Sequence, residues 1–136
     1  MTITAKWVDA LAFDAVSDNG HTVRTDTTVE GGSMDSGMSP KKLLLASLCG
    51  CSGIDVVDIL KKMKVAYSTL EVFAEANQTT THPMVFTGIH MIYKADVATE
   101  NLDKFKRAVA LSHETYCGIS AMLVKHCAID YSVELF

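Results

Sequence analysis

The chain has 136 residues, enough for one domain with a hydrophobic core that needs no disulfide staples. Apolar residues make up 49% and charged residues 21%, an ordinary globular composition, and 12 basic against 16 acidic residues leave a net charge of −4 with no Lys/Arg run, which argues against a nucleic-acid partner. Nothing at the N-terminus reads as a secretory leader, and the longest apolar run is interrupted by Asp55 and Asp58, so the expectation is a cytoplasmic protein with no membrane partner.

The first 25 residues read as β structure. "TITAKWVDA" alternates, and two further short runs flank Asp18-Asn19-Gly20. An Asn-Gly step between alternating runs predicts a hairpin whose two central residues both take positive φ. Residues 30–38, "EGGSMDSGM", have no period and predict a mobile loop of the kind that borders sites.

Ser39-Pro40 predicts a helix start, because serine caps free N–H groups and proline fits the first turn. The run from Lys41 to about Met63 is apolar on most faces, which predicts burial on all sides. Ala46, Gly50 and Gly53 fall at i, i+4 and i+7. Small residues on one face predict a tight helix–helix crossing, and a symmetric copy from a second subunit is the economical partner.

Residues 66–76 and 84–95 alternate again and predict two strands joined by the polar turn holding His82-Pro83. His90, on the second of these, reads as a satisfied structural histidine. Residues 99–114 predict an amphipathic helix with Leu102, Phe105, Val109 and Ala110 inward. Cys117-Gly118 marks a break, a short helix runs to about His126, and "CAIDYSVELF" ends the chain as a strand. The order β-β-β-α-β-β-α-α-β predicts an α+β fold.

Four cysteines (Cys49, Cys51, Cys117, Cys127) form neither a Cys-x-x-Cys motif nor a zinc spacing, and a cytoplasmic setting keeps them reduced. Cys49 and Cys127 read as core residues. Cys51 lies beside Gly50 on the apolar helix and needs positive charge or hydrogen bonds to become a thiolate. Of the two arginines, Arg107 belongs to an exposed lysine-rich face, so Arg24 is the better activator. Cys117 sits at a helix start, where free N–H groups favour a thiolate. Asp55, four residues after Cys51, reads as structural, since a negative charge there would raise the thiol pKa.

Together "SPKKLLLASLCGCSGIDVVDILKK" (39–62) and "SHETYCGISAML" (112–123), with "AKWVDALAF" and "HPMVFTGIHMIY", resemble the OsmC/Ohr family, most nearly its YhfA-type branch, over nearly the whole chain. The resemblance implies a single OsmC-like domain over residues 1–136, with a two-layer α+β fold. It implies an intertwined homodimer with long central helices packed across the dimer axis. It also implies a thiol peroxidase that reduces organic hydroperoxides. Cys51 becomes a sulfenic acid, Cys117 resolves it as an intrasubunit disulfide, and an external dithiol reductant restores both. No cofactor or metal is implied. The alternative is an OsmC-like thiol redox or small-ligand-binding protein with little peroxidase turnover; a structural dimer with inert cysteines is a third reading. Two departures bear on the choice. Peroxidase members carry a glutamate that holds the catalytic arginine ten residues before the first cysteine, where this chain has Lys41, and a proline after the second, where it has Gly118. An arginine without that glutamate predicts an unanchored Arg24 and slow turnover.

Overall fold

A computed structural model describes all residues, 1–136, and divides into two compact units, Met1–Leu45 and Ala46–Phe136. The first unit is an antiparallel three-stranded sheet in the order β1 (Ile3–Asp9), β2 (Ala12–Ser17), β3 (Thr22–Thr25). The β2–β3 turn differs from the expected form. Gly20 N–H bonds to the Ser17 carbonyl at 3.0 Å and Ser17 N–H to that of His21 at 2.9 Å, leaving a three-residue loop. Only Gly20, at φ +88°, takes the left-handed conformation, so glycine alone carries the turn and Asn19 stays at negative φ.

The aperiodic loop is pinned rather than loose. Asp26 is buried, and its carboxylate accepts hydrogen bonds from the Thr27 N–H (2.8 Å), the Ser36 N–H (2.9 Å) and the Ser36 hydroxyl (2.7 Å). Hydrogen bonds from Ser33 and Ser36 hold this carboxyl far below the usual carboxylate range. One buried acid thus supplies the order that side-chain periodicity does not announce.

Helix α1 (Pro40–Lys62) begins as the sequence predicts, with the Lys42 N–H on the Ser39 hydroxyl at 3.4 Å. Lys61 and Lys62 in its last turn suit the helix dipole. The expectation of burial on every side fails. Leu48, Ser52, Val56, Ile59 and Leu60 are buried, whereas Ile54 is 72% exposed and Leu44, Gly50 and Val57 are exposed too. One chain offers packing partners for a single face of the helix. The small-residue stripe divides accordingly: Gly50 has open space beside it, while a Cβ on Gly53 would lie 3.5 Å from Val72 Cγ2. By length and composition α1 could cross a membrane. Its apolar character is accounted for within the fold on one face only.

The second unit adds a sheet in the order β4 (Leu70–Gln78), β5 (Phe86–Ala95), β6 (Ala128–Leu135), with β4–β5 antiparallel and β5–β6 parallel. Alternate residues of β5, namely Ile89, Met91, Tyr93 and Ala95, are buried. They form a core with Leu48, Val56 and Leu60 of α1 and Phe105, Ala108 and Val109 of α2 (Leu102–Leu111). The parallel β5–β6 pair requires a crossover, which α2, a π-helical turn (Ser112–Tyr116) and α3 (Gly118–Leu123) provide. His90 is satisfied as expected, with Nδ1 2.6 Å from Asp130 Oδ1 and Nε2 3.2 Å from Ser132 Oγ. The α+β class and element order therefore agree with the sequence.

Candidate active site

Helix periodicity places Cys51 and Asp55 one turn apart on α1, both half-buried. The π-helical turn ends at Cys117, which turns extended (φ −71°, ψ 100°) and becomes the N-cap of α3. The crossover thereby delivers the buried Cys117 thiol to the α1 pair. The Cys51 and Cys117 Sγ atoms and an Asp55 carboxylate oxygen all lie within 4.8 Å of one another. Two thiols that are 66 positions apart in sequence thus come close together within one chain.

Cys117 caps α3 with its thiol, which accepts the Ser120 N–H at 3.4 Å. The cap does not prevail over its surroundings. Burial pushes the Cys117 thiol up to about 11 against the Ser120 N–H, and the adjacent Cys51 and Asp55 push the same way. The sequence expectation of a thiolate at this helix start is thus corrected: desolvation outweighs the few N–H groups of a short helix. Cys49 is half-buried with its thiol raised by burial, and Cys127 is buried.

A chain of polar side chains runs beneath the site. The Ser112 hydroxyl donates to Asp55 Oδ2 at 2.9 Å and lies 2.8 Å from Ser52 Oγ. Ser52 is hydrogen-bonded to the Tyr93 hydroxyl, which lies 2.8 Å from His113 Nε2. His113 Nδ1 is 3.3 Å from Ser120 Oγ, and the ring stacks on Tyr131 with centroids 4.5 Å apart. The path thus leads from Asp55 back to the residue whose N–H holds Cys117. Burial lowers the His113 pKa, so the ring is neutral at pH 7, and burial raises the Tyr93 pKa. No buried side-chain nitrogen or oxygen lacks a partner. Sequence reasoning set Asp55 aside as structural and missed this network. The available signal was Ser52 on the Leu48–Val56 face of α1, together with the Ser112-His113 pair just before Cys117.

Arg24 belongs to the first unit. It lies opposite Asp14 in the β2–β3 ladder and grips that carboxylate through Nε and, at 2.9 Å, through Nη2. The expected unanchored arginine is therefore wrong, because Asp14 holds it across the strands where no glutamate is available from α1.

The fold and the two-thiol centre define an OsmC-like protein. The family model for OsmC-like proteins matches residues 32–132, and the chain belongs to this family. It is 34% identical over 135 residues to protein YhfA of Escherichia coli (strain K12), a match spanning 99% of this chain and 98% of that protein. A hypothetical protein from Aquifex aeolicus VF5 has a similar solved structure, with a TM-score of 0.81 at 25% identity over 99% and 96% of the two chains. The organic hydroperoxide resistance protein OhrB of Bacillus subtilis shares the fold with a TM-score of 0.66 at 18% identity, over 99% and 96% of the chains.

Proposed function

We propose that the protein is a cytoplasmic thiol peroxidase acting on organic hydroperoxides. The observation that carries this reading is the approach of Cys51 and Cys117 to within 4.8 Å. In the proposed cycle the Cys51 thiolate attacks the distal oxygen of ROOH. The O–O bond breaks, the alkoxide leaves and takes a proton as ROH, and Cys51 becomes the sulfenic acid. The Cys117 sulfur then attacks Cys51 Sγ, forming the disulfide and expelling water. An external dithiol reduces the disulfide by exchange. Arg24, held in shape by Asp14, is the proposed source of positive charge for the Cys51 thiolate.

The reading includes a single OsmC-like domain in an intertwined homodimer. Two features support the dimer. Strand β1 is exposed along its whole length, with Ile3 62% and Trp7 64% exposed, and α1 bares a stripe of small and apolar residues through Ala46, Gly50, Ile54 and Val57. Surfaces of this kind mark interaction sites.

A second reading, a redox or small-ligand-binding protein with little peroxidase turnover, is favoured by one feature. Asp55 places a carboxylate beside both sulfurs, and that charge adds to the burial that raises the Cys117 thiol.

Stopped-flow oxidation of the reduced protein by cumene hydroperoxide and by hydrogen peroxide, followed by non-reducing peptide mapping, separates the two readings. Fast reaction with the organic peroxide and a Cys51–Cys117 disulfide are expected. A Cys49–Cys51 or Cys51–Cys127 bond as main product, or thiols left unreacted, overturns the peroxidase reading.

A further inference from the structure

We infer that the reduced site is also a zinc site, in which Cys51, Asp55 and Cys117 bind one Zn²⁺ ion per chain. Zinc takes thiolate sulfur at about 2.3 Å and carboxylate oxygen at about 2.0–2.2 Å. Three donors mutually within 4.8 Å share a centre no more than roughly 2.8 Å from each. Inward shifts of roughly half an ångström to one ångström then complete three bonds of a tetrahedral set.

The backbone supplies the arrangement. Cys51 and Asp55 at i and i+4 share one helix face, the spacing that presents two ligands to one ion. Cys117 comes from the end of the π-helical turn, on a separate element. Outer contacts are in place as well. The Ser112 hydroxyl orients Asp55 through Oδ2, and the Ser120 N–H orients the Cys117 sulfur. Half-buried Cys51 leaves the fourth position to water or an exogenous ligand.

The charges also agree. Two thiolates and one carboxylate carry −3, which Zn²⁺ reduces to −1, and the thiol protons pass to the buffer on binding. The set of two soft sulfurs and one oxygen excludes Mg²⁺ and Ca²⁺, which prefer all-oxygen cages. Zinc and peroxide compete for the same sulfurs, so the ion holds the thiols reduced and out of reach of oxidants. The inference concerns the residues of the proposed peroxidase site but does not rest on that activity.

The test is a titration of the reduced protein with Co²⁺ as spectroscopic probe, then displacement by Zn²⁺, with no peroxide present. One Co²⁺ per chain with a sulfur-to-cobalt charge-transfer band is expected, and Zn²⁺ should bleach it. Cys51→Ser and Asp55→Asn should each weaken Co²⁺ binding at least tenfold, while Cys49→Ser and Cys127→Ser leave it unchanged. Cys51 is half-buried, so its serine variant should fold; it decides the matter even if Asp55→Asn does not. A reduced protein without the band, or a Cys51→Ser protein that keeps it, overturns the inference. An Asp55→Asn protein that binds as tightly as the parent overturns the three-donor site. Because no oxidant is used, a failure here leaves the peroxidase reading standing, and the converse also holds.

Discussion

Asp14 and Arg24 lie opposite each other on β2 and β3, and the carboxylate grips the guanidinium at two nitrogens. Asp14 thereby anchors the Arg24 guanidinium within its own sheet. Two-pronged pairs fix the guanidinium plane as well as its position.

If Arg24 activates Cys51, Arg24→Ala should slow the first oxidation at least tenfold, equivalent to about 1.4 kcal/mol in the barrier. Asp14→Asn keeps the charge of Arg24 but loosens its aim, so a smaller loss is expected, since misplaced groups lose rate steeply. Single-turnover oxidation of Cys51 measures both. An Arg24→Ala protein as fast as the parent removes this arginine from the mechanism.

Gly37 is required by the backbone that carries Arg24. A Cβ at Gly37 would lie 2.5 Å from Arg24 Cγ, 2.6 Å from its carbonyl oxygen and 2.9 Å from its carbonyl carbon. Two of these atoms are backbone, tied down by the Thr25–Met38 bridge and by the Asp26 N–H on the Met38 carbonyl at 3.3 Å. Gly37→Ala should therefore cost about 1–3 kcal/mol in urea unfolding, and should slow Cys51 oxidation if Arg24 is the activator. Gly88→Ala, where an added Cβ meets nothing within 4 Å and the backbone is not left-handed, serves as the tolerated control.

Much of the fold was legible because it rests on local signals. Ser39-Pro40 fixed the start of α1, Gly20 fixed a hairpin, and alternation marked β4 and β5. What was not legible depends on contacts between distant segments. Ser52 is one polar residue in an apolar helix, and only the meeting of α1, β5 and the π-helical turn gives it Tyr93 and Ser112 as partners. The extra residue of that turn is invisible to a 3.6-residue period, yet it sets Ser112, His113 and Cys117 in place. Asp14 shares no motif with Arg24; strand register alone pairs them. The exposed face of α1 was misread because periodicity reports apolar faces without saying which chain covers them.

His113 should make the second unit sensitive to mild acid. Burial lowers its folded pKa below the ordinary value of about 6.5, so the unfolded chain binds the proton more tightly. Stability is then full above about pH 6.5 and falls as pH drops through the unfolded value towards the folded one. Urea midpoints between pH 8 and pH 5 should decline. His113→Gln should flatten that decline while costing stability at pH 8 through its altered bonds to Tyr93 and Ser120. Parallel slopes for parent and variant would assign the acid sensitivity to another group.

Cys117 is buried, with a pKa near 11, so only a small fraction is thiolate at neutral pH. Attack on a sulfenic acid needs the thiolate. Disulfide formation should then be slower than the first oxidation, and its rate should rise by about tenfold per pH unit between pH 7 and pH 9, as the thiolate fraction does. Asp55→Asn removes a negative neighbour that helps hold the thiol protonated, and should raise the resolution rate at fixed pH. Cys117→Ser should complete one turnover and stop at the Cys51 sulfenic acid, captured by dimedone and read by mass. The π-helical turn fixes where the Cys117 sulfur sits, whereas its burial sets how often that sulfur is charged, so the two contributions can be told apart. A resolution rate flat across this range would mean that the sulfur ionises only after Cys51 is oxidised, through rearrangement of the turn that carries it.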